Sequence, residues 1–191
     1  MSAPPGDSTD GELAGMALAG RQAAYGELMR RHRASVYRLV RHHVGEGDEA
    51  IDVTQEAFIA AFASLARYDR GRPFRLWIMR IAINKCRDWA RRRAVRRFFA
   101  FPRPLDEAAE IVDPAMTPEA EAADREALAR LSAAIAQLPA PLKEVLVLRT
   151  IEEMSQADAA ALLGISAKAV ETRLYRARAA LTGILRTDGE G

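Results

Sequence analysis

Four polar side chains, Arg80, Asn84, Arg87 and Arg91, recur at i, i+4, i+7 and i+11 within the stretch FRLWIMRIAINKCRDWARRRAVRR, Phe74 to Arg97. At helical pitch they form one narrow cationic stripe holding a single amide. Guanidinium groups bind phosphate whatever the sequence, whereas an amide can pair with a base edge. The stripe therefore suits a nucleic-acid backbone with one point of base readout, Asn84. Just before it, the loop YDRGRP, Tyr68 to Pro73, supplies Tyr68, Arg70 and Arg72, an aromatic ring and two cations that could hold an unstacked base.

Two further groupings carry recognition chemistry. Asp52, Gln55 and Glu56 share one helical surface at i, i+3 and i+4, a polar patch open to a basic protein partner. Nearer the C-terminus, SQADAAALLGISAKAVETRLYRARAAL, Ser155 to Leu181, reads as helix, tight turn, helix. Ser155 and Asp158 form a start signal, Gly164 ends the first helix, and Ser166 caps the second. Ala160 is small where the helices approach, and Val170 is apolar where the second packs back, as a DNA-binding helix-turn-helix requires. With Ser166 at its head, that second helix carries Lys168, Glu171, Thr172, Arg173, Arg176 and Arg178 toward base edges and phosphates.

The elements that must position these groups are all helical. On the basic helix, Phe74, Trp77, Ile78, Ile81, Ala82 and Trp89 fall on one side and Met79, Ile83, Cys86 and Ala90 on another, so two apolar arcs seat it and both tryptophans pack. Helical periodicity begins at Glu12, with Tyr25, Leu28, Met29, His32, Val36, Leu39 and Val40 as its stripe, and Gly45 and Gly47 end that run. A helix from about Asp48 to Leu65 follows, its expected core stripe Ile51, Phe58, Ile59, Phe62 and Leu65. Prolines 102, 104, 114 and 118 then forbid a long helix. Periodicity resumes near Glu119, with Leu128, Leu131, Ile135 and Leu138 on its apolar side, and a short apolar helix runs from Leu142 to Ile151.

The expected architecture is all-α, with two small helical domains joined by an irregular acidic linker. Its boundaries are a disordered N-terminus (1–11), a helical bundle (12–97), the linker (98–124), a helix-turn-helix domain (125–185) and a tail (186–191).

Composition narrows the function classes. The chain has 191 residues, 49% of them hydrophobic, enough for one sizeable core or two small ones. Its net charge of +2 hides a basic block from Arg70 to Arg97 followed by an acidic stretch from Asp106 to Glu126. Cys86 is the only cysteine, which excludes an intramolecular disulfide and a cysteine-rich zinc site. No apolar run approaches a membrane span and the N-terminus has no signal-peptide pattern, so a cytoplasmic location is expected. There is no glycine-rich phosphate loop, metal-ligand cluster or nucleophile with a base, so neither an enzyme nor a cofactor is indicated. A self-sufficient helix-turn-helix regulator fits the C-terminal half equally well. A sensing front domain, however, has no use for a cationic stripe beside an acidic protein-binding patch.

Together these stretches resemble the extracytoplasmic-function sigma factors of bacterial RNA polymerase. The likeness runs from about Tyr25 to Leu181 apart from the linker, and is carried by DVTQEAF (Asp52 to Phe58), FRLWIMRIAINKCRDWARRR (Phe74 to Arg93), LPAPLKEVLVLR (Leu138 to Arg149) and the helix-turn-helix. The chain departs from the family pattern at Ile51, where a further acidic residue is common. The resemblance implies that Asp52, Gln55 and Glu56 meet the clamp helices of core RNA polymerase. It implies that Tyr68, Arg70, Arg72, Arg80, Asn84, Arg87 and Arg91 bind and open the minus-ten element of promoter DNA. The helix carrying Ser166, Lys168, Glu171, Thr172, Arg173, Arg176 and Arg178 would read the minus-thirty-five element. It further implies a linker threading toward the polymerase active-site channel, and an anti-sigma factor that holds the protein inactive.

Overall fold

The computed structural model describes residues 7–45, 47–99 and 118–187, with side chains described for 7–45, 47–96 and 127–187. Among these residues every regular element is helical. They belong to two compact units, one from Met1–Arg41 and Asp48–Phe101, the other from His42–Gly47 and Pro102–Gly191. The acidic segment expected to link two domains lies largely outside the described residues.

The first unit opens with α1, Asp10–Leu18, whose N-cap Thr9 and third residue Glu12 form a reciprocal capping box. Helix therefore starts ahead of Glu12, inside the stretch that composition assigns to a disordered tail. The run beginning there is also two helices, not one: Gly20 takes φ +86, which an L side chain resists, and α2 starts afresh at Gln22–Val44. Next come α3, Asp48–Ala63, a 3-10 turn, Leu65–Arg67, and the long α4, Phe74–Phe99.

The core of this unit is made by Leu13, Leu28, Val36, Leu39, Val40, Val53, Phe58, Leu65, Phe74, Ile78, Met79 and Ile83, each buried. Burial of a side chain such as Phe74 stabilises the fold by about 1.5–3 kcal/mol. On α3 the expected stripe is corrected. Ala50, Val53, Ala57, Phe58 and Ala61 face inward, whereas Ile51 is 38% and Ile59 69% exposed. The alanines let α3 lie close against its neighbours, which turns both isoleucines outward.

In the second unit α5 spans Pro118–Gln137, beginning close to Glu119, where helical periodicity resumes in the sequence, and within the segment assigned to the linker. A proline is compatible with a first helical turn, because the N–H it lacks has no intrahelical partner there. Ala134, Ile135 and Leu138 are buried, but Leu128 and Leu131 are exposed, and the expected apolar side of α5 faces the core only toward its C-terminal end. Then follow α6, Ala140–Leu146, a π turn, Val147–Ile151, α7, Gln156–Leu163, and α8, Ala167–Thr187. Val145, Val147, Leu148, Ala159, Val170 and Ala177 form the centre of that core. Among the described residues no helix is long and apolar enough to cross a membrane.

Candidate nucleic-acid interface

Helix α4 is the scaffold of the first candidate face. Phe74, Ile78, Met79, Ala82, Ile83, Cys86 and Trp89 are buried, and stepped around the helix they make one continuous inner face in place of two separate arcs. Trp77 and Ile81 are half-buried at its margin, and Ala90 is exposed, since the helix has left the core by that point. Arg80, Asn84, Arg87 and Arg91 are all exposed along the outer side. The stripe read from the sequence is thus a single outward face, with Asn84 flanked by Arg80 and Arg87. Arg91 pairs with Asp88 one turn back, an acid within the basic helix that sequence reasoning passed over.

The adjoining loop differs from expectation. Tyr68 is only 7% exposed, its ring 5.2 Å from both Phe74 and Trp77. Its hydroxyl donates to the Arg72 carbonyl at 2.5 Å, across the loop. Burial, then the charges of Asp10 and Asp69, push the phenol above its ordinary pKa. Tyr68 is therefore a brace for the loop, its ring packed against Phe74 and Trp77 and its oxygen bonded across the turn. The sequence context hid this: an aromatic beside glycine and proline reads as a loop residue, while Phe74 and Trp77, its ring partners, read only as helix.

Arg72 is exposed and pairs with Asp69, whose carboxylate also accepts from the Gly71 N–H at 3.0 Å. Arg70 is exposed as well, but its course is set by α1. A Cβ at Gly11 would stand 3.1 Å from the Arg70 carbonyl oxygen, and one at Gly15 3.0 Å from its guanidinium Nη1. Helix α1 is itself tied to α2. Arg31 donates to the Ser8 carbonyl at 2.7 Å, and the Asp10 carboxylate meets Arg31 at 3.1 Å and His32 Nε2 at 2.8 Å. Beside these, hydrogen bonds from Arg30 and Arg31 hold the Glu27 carboxyl down to about 2.

The second candidate face lies on α3. Asp52 and Gln55 are exposed and Glu56 is half-buried, with Ile51 and Ile59 completing an outward strip that is polar in the middle and apolar at each end. Glu56 is not free: its carboxylate is 3.8 Å from Lys85 and 3.4 Å from Arg92, both on α4. Glu49 stands 3.9 Å from Arg96 in the same manner.

The third is the helix-turn-helix. The Ser155 side chain accepts from the Asp158 N–H at 3.0 Å, and Gly164 closes α7 at φ +68, a left-handed cap suited to glycine. Ser166 accepts from the Ala169 N–H at 3.1 Å and Gln156 donates to the Ala167 carbonyl at 2.8 Å, fixing where α8 begins. Val170 and Ala177 are buried while Leu174 and Leu181 are half-buried, which leaves Lys168, Glu171, Thr172 and Arg176 on the outer face. Arg173 and Arg178 flank that face on opposite edges, the first half-buried and the second exposed. Lys168 and Glu171 pair at 3.0 Å, and Thr172 donates to the Lys168 carbonyl at 2.9 Å. Tyr175, which the sequence reading left unassigned, is 76% exposed in the middle of this face. Its i+3 and i+4 spacing from Thr172 and Glu171 was the available signal. Among the described residues no cluster of His, Cys, Asp and Glu is suited to a metal ion.

Comparison with known proteins places these elements in context. Residues 28–96 match the family Sigma-70 region 2, and residues 128–181 match Sigma-70, region 4. The chain is 39% identical over 187 residues to the RNA polymerase sigma factor CnrH of Cupriavidus metallidurans, covering 96% of this chain and 98% of that protein. It is 30% identical over 171 residues to the ECF RNA polymerase sigma factor SigW of Bacillus subtilis, covering 87% and 91% respectively. Among solved structures, CnrH in complex with the cytosolic domain of CnrY aligns with a TM-score of 0.70 at 36% identity, over 95% of this chain and 99% of that one.

Proposed function

The chain belongs to the extracytoplasmic-function sigma factors of RNA polymerase, and from that premise we propose that its three faces divide the work of promoter recognition among polymerase docking, strand opening and upstream readout. It is a non-enzymatic initiation factor that directs polymerase to promoters; the residue assignments are our reading. The observation that carries them is the outer side of α4, where an exposed amide stands in a row of exposed arginines with a packed face behind it.

Opening a duplex costs about 1.4 kcal/mol per base-pair step, and a protein offsets this by holding unpaired bases. Arg80, Arg87 and Arg91 supply phosphate affinity at the minus-ten element and Asn84 reads a base there. The loop presents Arg70 and Arg72 to the same strand, with Tyr68 keeping it in shape. Asp52, Gln55 and Glu56, extended by Ile51 and Ile59, dock on the clamp helices of core polymerase. The outer face of α8, Lys168, Glu171, Thr172, Tyr175 and Arg176, enters the major groove at the minus-thirty-five element, with Ser166 at its head and Arg173 and Arg178 at the flanking phosphates. The work is cytoplasmic. CnrH was solved with the cytosolic domain of CnrY, and the RpoE of Bartonella quintana with the anti-sigma factor NepR. By analogy an anti-sigma factor covers this protein until a signal arrives.

In-vitro transcription with purified core polymerase over a genomic template pool tests the reading. Promoter-specific initiation is expected, with Asn84→Ala losing permanganate reactivity of promoter thymines more than polymerase affinity. Tight binding to a duplex operator by the chain alone, with no initiation beside core polymerase, would instead mark a self-sufficient regulator.

A further inference from the structure

Helix α4 carries a second cationic stripe that the first does not predict. Lys85, Arg92 and Arg96 recur at i, i+7 and i+11, roughly 130° around the helix from the Arg80-Asn84-Arg87-Arg91 face. Where the outer stripe faces away from the protein, this one faces α3. Glu56 there meets Lys85 at 3.8 Å and Arg92 at 3.4 Å, and Glu49 meets Arg96 at 3.9 Å. All five side chains retain solvent exposure, from 29% for Lys85 to 60% for Arg96. These are long-armed pairs at the rim, each weak alone and easily exchanged for another anion.

Glu56 thus stands at a junction. Its carboxylate belongs to the α3 strip assigned above to polymerase, and it is also the counter-ion of two α4 cations. We propose that Glu56 couples the two faces: in the free protein it holds Lys85 and Arg92 back from DNA, and a polymerase group that takes its carboxylate releases both for phosphate contact. This rests on the reading of α3 as the polymerase-docking face. The energetic sense is reciprocal, since whatever polymerase gains by engaging Glu56 on a DNA-free chain it gains more when DNA is already drawing Lys85 and Arg92 away. The free chain thereby presents a smaller cationic footprint than its sequence contains.

Salt dependence reads this directly, because each phosphate contact adds about 0.9 to the slope of log affinity against log salt. The full-length chain would be titrated by fluorescence anisotropy against a non-specific 30-bp duplex, without polymerase. Four forms are compared: wild type, Glu56→Gln, Lys85→Gln/Arg92→Gln and the triple variant. Glu56→Gln is expected to steepen the wild-type slope by about 1.8, so that binding between 200 and 50 mM salt strengthens roughly twelvefold more than in wild type. In the Lys85→Gln/Arg92→Gln background the same substitution should do nothing. An unchanged slope in Glu56→Gln overturns the proposal, as does an equal change in both backgrounds, which would be a bulk charge effect. Asp7→Asn/Asp48→Asn, a larger charge change at exposed acids with neither role, should leave the slope as it is. Core-polymerase affinity, measured on the same Glu56→Gln protein, separates the premise from the proposal. A steeper DNA slope with unaltered polymerase affinity would retain the counter-ion, remove the coupling and count against the α3 docking face.

Discussion

Replacing Tyr68 with phenylalanine separates two roles that a tyrosine in a DNA-facing loop can play. The ring is kept, so its packing at 5.2 Å on Phe74 and Trp77 survives, and so would any stacking on a base. Only the hydrogen bond to the Arg72 carbonyl is lost. Such a bond contributes about 1 kcal/mol net. If that bond is what closes the loop, the closed population relative to the open one falls roughly fivefold, at 1.4 kcal/mol per factor of ten. Open-complex formation, followed by permanganate reactivity of promoter thymines with reconstituted holoenzyme, should fall by up to that factor, and core-polymerase affinity should not move. The phenol is held above its ordinary pKa of 10.0, first by burial and then by Asp10 and Asp69. Its stabilising contribution is therefore complete below that value and lost only as pH rises through the higher folded pKa, so the defect should be the same at pH 6 and pH 9. Wild-type opening by Tyr68→Phe would refute the brace and restore the ring as the working part.

Three further outcomes follow from other features. Glu153 adopts φ 52 between the buried Glu152 and Met154, so Glu153→Gly should relieve left-handed strain and stabilise the second unit by about 0.5–1 kcal/mol after glycine's own entropy cost. A rise of a few degrees in its melting, localised by hydrogen exchange to α6 through α8, is expected, and a fall would contradict the strain argument. Glu27 is held down to about 2 by Arg30 and Arg31, so its stabilising effect is present above the ordinary value of 4.5 and lost as pH falls toward 2. Wild type should exceed Glu27→Gln in urea midpoint at pH 6 and match it near pH 2; a gap that persists in acid would mean that the ion pairs are not its source. Tyr175→Ala, at a 76% exposed position, should weaken binding to a minus-thirty-five duplex about fivefold without altering the melting temperature, and unaltered affinity would remove Tyr175 from the groove face.

Faces with strong chemical contrast were legible from the residues alone. The α4 stripe is so because Arg80, Asn84, Arg87 and Arg91 alternate with bulky apolar residues, and the helix-turn-helix because Ser155, Gly164 and Ser166 are cap residues whose geometry is local. What escaped depends on contacts distant in sequence. Ile51 and Ile59 look like core until Ala57 and Ala61 are seen taking the inner side of α3. Tyr68 looks like a loop aromatic until Phe74 and Trp77 close over it, and Lys85 looks like one more surface lysine until Glu56 arrives from another helix. The start of α1 was missed for a different reason. Thr9 and Glu12 are a cap pair directly ahead of Leu13, Ala14, Met16, Ala17 and Leu18, a local signal that the small, polar, proline-containing residues before it outweighed, and the docking of Asp10 on Arg31 and His32 secures the helix.

That docking decides how the protein can be shortened. A version trimmed to begin at Glu12, where apolar periodicity sets in, would discard the Thr9 cap, the Ser8 carbonyl and the Asp10 carboxylate together. Arg31 and His32 would lose the Asp10 anchor, Gly11 would be gone with it, and α1 would no longer hold Gly15 against Arg70. A trimmed protein that bound polymerase yet failed to open promoters would then be reporting a slack loop nearly sixty residues from the cut, with every side chain proposed to meet DNA still in the chain.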